Sequence, residues 1–228
     1  MSKMRAVTLA ILLGAFAAPL AAPAAAQSSS PGKGFGSDAY RFFKAVREKD
    51  GPGAQALMTQ PGSTLVNQRD YDSGETALLI VTRRRDSGWM SLLINRGANV
   101  DTKDRSGYTP LIAAAELGFA DGVQILLARK ANPNLGNGQG ETALIKAVQK
   151  RDVNSVRALL GAGADPDLVD NLGTSAREYA EQDRRAGMIQ RLIADSDAKK
   201  KAPAAAGAVT GLVPVTGSMP LAGPAKSN

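Results

Sequence analysis

The chain has little with which to do covalent chemistry, because its 228 residues include neither histidine nor cysteine. Ser-His-Asp and Cys-His nucleophilic systems are therefore excluded, and so are zinc sites built on imidazole or thiolate. Carboxylates remain. Asp165, Asp167 and Asp170 lie close together, and Asp101 and Asp104 hold comparable places upstream. Both groups fall in Asn-, Pro- and Gly-rich segments, where Asp is favoured for hydrogen bonds to nearby backbone amides. Gly136-Asn137-Gly138-Gln139-Gly140 has glycine spacing reminiscent of a phosphate loop. It lacks a preceding strand and a following basic residue, and it reads as a flexible finger between structural units. These residues argue against an enzyme and imply neither a cofactor nor a metal.

What positions them is a repeat. Gly74, Gly107, Gly140 and Gly173 stand 33 residues apart, and columns of side chains travel with them. A hydroxyl follows each glycine by two: Thr76, Thr109, Thr142, Ser175. Its oxygen suits a helix start, where it accepts a hydrogen bond from an unpaired first-turn amide. Pro110 fits a first helical position. Three apolar columns follow at helical spacing: Met90/Val123/Val156/Ile189, Leu93/Leu126/Leu159/Leu192 and Ile94/Leu127/Leu160/Ile193. They predict one buried face of a second helix. Gly97-Ala98, Lys130-Ala131 and Gly163-Ala164 mark its end. A fixed period of this kind means stacked copies of one supersecondary unit, each covering its neighbour's apolar face.

The unit resembles the ankyrin repeat. Gly107-Tyr108-Thr109-Pro110-Leu111-Ile112-Ala113-Ala114-Ala115, then Leu126-Leu127 and Asn132-Pro133-Asn134, carry the likeness best. Where the family's pattern has histidine, this chain has Leu79, Ile112, Ile145 and Glu178, so apolar packing is expected in place of a polar network between repeats. The resemblance implies an all-α solenoid of paired antiparallel helices joined by extended turns, with about five repeats including degenerate caps. Their expected bounds are 38–73, 74–106, 107–139, 140–172 and 173–194, the last turning polar as a cap should. Trp89, the only tryptophan, shares its column with Gly122 and is expected to fill the space that Gly122 leaves.

The ends differ in kind. Lys3 and Arg5, the apolar run Ala6–Ala18 and Ala24-Ala25-Ala26 describe a secretory signal peptide over 1–26, of bacterial character. A run of 13 is short for a membrane span. The mature protein is thus expected to be periplasmic or secreted, with no transmembrane segment after cleavage. Residues 27–37 read as a Ser/Gly linker and 195–228 as a disordered Ala/Pro/Lys tail.

The net charge of +7 resides largely in those ends. Residues 38–194 hold 21 basic and 19 acidic residues, a net of only +2. Such a balance does not favour nucleic acid, which asks for a basic face on a folded element. The resemblance implies a protein partner on the concave side, made by the turns and the exposed face of each first helix. Taken residue by residue, that face holds Arg83, Arg84, Lys103, Arg105, Tyr108, Glu116, Leu117, Arg129, Gln149 and Lys150. The functional expectation is a monomeric, non-catalytic module that binds another protein outside the cytoplasm. Two alternatives stay open: an adaptor for an anionic cell-envelope polymer, using basic turn residues and the lysine tail, and a secreted effector acting in a host. Protein purified from its native host is expected to begin at Gln27, and an intact mass corresponding to all 228 residues contradicts the export reading.

Overall fold

A computed structural model describes residues 37–201. The expected signal peptide, all of the linker before Ser37, and the tail beyond 201 lie outside the described residues. Within them the chain forms ten α-helices in five pairs: α1 (Asp38–Glu48) with α2 (Gly51–Met58), α3 (Ala77–Arg83) with α4 (Ser87–Asn95), α5 (Pro110–Glu116) with α6 (Ala120–Ala128), α7 (Ala143–Gln149) with α8 (Val153–Gly161), and α9 (Ala176–Gln182) with α10 (Gly187–Lys201). A single 3₁₀ turn, Leu65–Asn67, follows α2.

The hydroxyl column starts helices as its chemistry requires. Thr76, Thr109, Thr142 and Ser175 accept hydrogen bonds from the amides of Leu79, Ile112, Ile145 and Glu178 at 3.2–3.3 Å. Such caps are typically worth about 1 kcal/mol each. In the last repeat Glu178 returns the bond to Ser175, completing a reciprocal capping box. Ser37, expected in the linker, instead caps α1 by accepting from Tyr40 at 3.2 Å. At the other end α10 continues to Lys201, past the expected domain limit at 194.

The first helices α1, α3, α5, α7 and α9 pack in series, and α4, α6, α8 and α10 form a second layer against them. Between the layers lie Met90, Val123, Val156 and Ile189 with Leu93, Leu126 and Leu159, all at most 1% exposed. Leu79, Ile112 and Ile145 occupy the expected histidine column and are equally buried. Each fully buried aliphatic side chain of this kind contributes roughly 1.5–3 kcal/mol.

Trp89 departs from expectation. The ring of Phe119, from the same repeat as Gly122, already fills the space beside that glycine; an added Cβ there meets Phe119 Cδ1 at 2.4 Å. Phe119 stands in a column where Asp86 and Asp152 cap the second helix by accepting from the amides of Trp89 and Ser155. Repeat three has exchanged that cap for an apolar plug. Trp89 is half-buried against the core, with the Arg84 guanidinium 5.9 Å above its ring.

Between pairs the chain runs out into extended fingers. Asp104 N donates to Tyr108 O, Asn137 N to Glu141 O and Asp170 N to Thr174 O, each at 3.0–3.1 Å. Neighbouring fingers touch backbone to backbone. Gly138 N donates to Ser106 O at 2.9 Å and Asn171 N to Gln139 O at 2.8 Å. The glycine-rich finger is therefore fixed on both sides rather than flexible. Gly107 shows what this contact demands: its φ is +81°, and a Cβ would approach the Gly138 nitrogen to 2.6 Å. Gly97 shares the left-handed conformation, at φ +86°, but faces open space. Gly97→Ala is expected to cost about 1–2 kcal/mol for conformation alone. Gly107→Ala is expected to cost roughly 1–3 kcal/mol more, for the close approach. Urea unfolding followed by circular dichroism measures both, and equal losses contradict the finger contact.

Candidate protein-binding face

The fingers and the ends of the first helices line one side of the stack, and a chain of polar contacts runs along it. Arg83, at the end of α3, bonds Glu75 at 2.8 Å and Asp104 of the next repeat at 3.2 Å. Its guanidinium lies 5.4 Å from the centre of the Tyr108 ring. Tyr108 OH donates to Glu116 at 3.1 Å. Glu116 pairs with Lys146 on α7 at 3.7 Å, and Lys146 with Glu141 at 2.6 Å. Asn137 Nδ2 donates to Glu141 in turn at 2.9 Å. In the last repeat Tyr179 OH donates to Asp170 at 2.8 Å.

Burial and pairing shape the electrostatics of this row. Burial pushes the Tyr108 hydroxyl up, and the Glu116 carboxylate adds to the shift. Burial alone drives Glu141 upward, but hydrogen bonds from Lys146 and Asn137 outweigh it and hold the carboxyl below its ordinary value. Desolvation pulls Lys146 down, but the bond to Glu141 together with the charges of Tyr108, Glu141 and Glu116 outweighs it and leaves the ammonium raised. Asp170 is lowered: desolvation is overcome by the Thr174 amide, the Tyr179 hydroxyl and the Leu172 amide.

The structure distributes the residues expected on this face among three situations. Arg84 turns away from it. Its Nη1 donates to the Val46 and Arg47 carbonyls at the end of α1, so it locks repeat one to repeat two. Lys103 Nζ donates to Gly136 O at 2.7 Å, and Arg105 donates to the Asp72 and Tyr71 carbonyls of the preceding finger. Arg129 reaches Asn95 at 2.8 Å on the second-helix layer, away from the concave side. These four cations, expected on the binding face, thus bond to carbonyls and an amide oxygen within the stack. Arg83, Tyr108 and Glu116 lie on the face as network members. Leu117, 39% exposed at the end of α5, and Lys150 at the end of α7 lie open to solvent, while Gln149, also exposed, hydrogen-bonds Tyr179.

Lys146, Asn137 and Tyr179 belong to the row and were not singled out by the sequence reading. The one available signal is Lys146 itself, a charge within the otherwise apolar run Ala143-Leu144-Ile145 and Ala147-Val148. The aspartates act as backbone acceptors. Asp104 Oδ1 takes the Ser106 and Tyr108 amides, and Asp170 Oδ1 the Leu172 and Thr174 amides. Among the described residues no group of three or more acidic side chains is placed to hold a metal ion. No described helix is long and apolar enough to cross a membrane.

Stacked helix pairs with ordered fingers and a continuous lateral face define a solenoid built to present a surface. Models of ankyrin repeats match residues 42–137, as three copies, and residues 126–180, as part of a many-copy array. The chain belongs to the ankyrin-repeat family, and its repeats mark it as a protein–protein interaction module.

The polar row makes the stack sensitive to acid. A carboxyl held below its unfolded value, near 4.5 for Glu141, contributes stability above that value and loses it as pH falls through the lower folded value. Asp170 acts in the same sense. Melting temperature is therefore expected to fall between about pH 5 and pH 3. Lys146→Met is expected to cost roughly 1–3 kcal/mol near neutral pH and progressively less as falling pH protonates Glu141. A penalty independent of pH contradicts the pairing.

Proposed function

We propose that this chain is an exported, non-catalytic adaptor that binds one protein partner through its finger and first-helix face, outside the cytoplasm. The observation that carries the proposal is Leu117, 39% exposed on a face whose neighbouring polar groups are tied to one another. An apolar side chain on a pre-ordered polar surface gives a partner a contact whose ordering entropy is already spent. The usual anatomy of a specific interface, an apolar centre within a polar rim, then has Leu117 as centre with Tyr108, Glu116, Gln149 and Lys150 around it. Export rests on the signal-peptide pattern of residues 1–26.

The polymer alternative draws less support at the finger joining repeats two and three, because Lys103 and Arg105 there are bonded to backbone carbonyls. Salt separates the two readings. Capture of a polymer falls log-linearly with ionic strength, and capture through an apolar centre does not.

Leu117→Asp is expected to leave melting nearly unchanged while reducing capture of the principal partner from a periplasmic extract by roughly tenfold or more. An early-melting variant makes Leu117 structural; normal capture removes it from the interface. Tyr108→Ala, by contrast, is expected to melt earlier, because it deletes a bond to Glu116 and the ring beneath Arg83.

A further inference from the structure

At repeats four and five the turns between first and second helices carry exposed cations. The turn between α7 and α8 carries Lys150 and Arg151, and the turn between α9 and α10 carries Arg184 and Arg185. Arg151 pairs with Asp183 and so ties the two turns together. Asp183 also accepts the Arg185 amide at 3.0 Å, so its charge is satisfied locally. The side chains of Lys150, Arg184 and Arg185 are exposed and carry no ion pair among the described residues. Glu181, exposed near the end of α9, is the one acid close by that is likewise unpaired.

Between these turns opens a groove of about 390 Å³, lined by Val148, Gln149, Arg151, Tyr179, Gln182 and Asp183. Val148 and the Tyr179 ring supply apolar floor, and Gln149 and Gln182 supply amides that donate or accept. The turns that bound this floor carry Lys150 and Arg184, exposed and without an acidic partner, and Arg185, whose charge also acts on Asp183. With Glu181 the one unpaired acid beside them, the local excess is positive and selects for an acidic chain.

We propose that this groove binds an acidic peptide segment, seating an apolar side chain over Val148 and Tyr179 with its carboxylates on Lys150, Arg184 and Arg185. The inference rests on the interaction reading above and names the partner's chemistry. The chain's own residues 202–228 do not fit, since they contain Lys226 and no Asp or Glu.

The test uses the full chain and a short fluorescein-labelled peptide of Glu, Asp and Leu, with a counterpart carrying Lys at every acidic position, in fluorescence anisotropy. The acidic peptide is expected to bind saturably and the lysine peptide not to bind. Lys150→Glu/Arg184→Glu/Arg185→Glu is expected to weaken binding roughly tenfold or more, with an unchanged melting curve. A charge-matched control, Arg96→Glu/Lys130→Glu/Arg157→Glu on the second-helix side, is expected to retain it. Absence of saturable binding, or equal losses in the two triple variants, overturns the proposal, the latter by showing diffuse attraction to net charge. So does a dimer of the full chain that the first triple variant dissociates, which makes a second copy the occupant. Failure here is distinguishable from failure of the interaction reading. If the first triple variant captures the periplasmic partner normally while Leu117→Asp does not, the module stands and the acidic groove falls.

Discussion

Three successive loops in this stack depend on the repeat before them for a backbone acceptor. The segments after α4, α6 and α8 each leave an amide that no helix or strand accepts, and an unpaired polar group withdrawn from water costs free energy. The acceptor is one asparagine or aspartate in the preceding repeat. Asn67 Oδ1 takes the Asn99 amide at 2.7 Å, Asp101 Oδ1 takes Asn132 at 3.0 Å, and Asn134 Oδ1 takes Asp165 at 2.8 Å. Together with the finger contacts at Ser106–Gly138 and Gln139–Asn171, these bonds set the spacing and tilt of successive helix pairs. The apolar core supplies most of the energy, but burial is not directional. The interdigitated loops give the stack its register.

The same constraint explains where the arginines go. Arg83, Arg84 and Arg85 are consecutive and share no destination. Arg84 reaches back to the end of α1, Arg83 forward to Asp104 and Tyr108, and Arg85 forward to Gly118 O at 2.9 Å beside the Phe119 ring. One tripeptide thus joins three repeats. Exposed ion pairs are worth little individually; guanidinium bonds to carbonyls at helix ends also satisfy acceptors that the helix cannot. With these cations committed, Leu117 and the turns of repeats four and five stay exposed.

Much of this was legible in the sequence because it is local. A hydroxyl before a helix, a glycine after one and a Leu pair at i, i+3 act within a few residues, so helix positions and core columns could be read directly. Side chains that span a whole repeat could not. Arg84 reads as a helix-end cation, and only packing shows that the end of α1 lies within its reach. Trp89 shares its column with Gly122, but Phe119 is nearer on the same turn and takes the space first. Lys146 stands in an apolar run, and its two carboxylate partners come from a finger and a neighbouring helix, which sequence adjacency does not show. The continuation of α10 to Lys201 lacked a repeat to compare with, since it lies beyond the last period.

Amide hydrogen exchange tests the interlocking loops most directly. Asn132, Gly138 and Asp165 lie in loops and fingers, yet each amide donates across a repeat boundary. They are predicted to exchange as slowly as helix amides of the central repeats, and Asp101→Ala to accelerate Asn132 by roughly tenfold or more while leaving the α9 amides nearly unchanged. Exchange of these three amides at the rate of free loops contradicts the account.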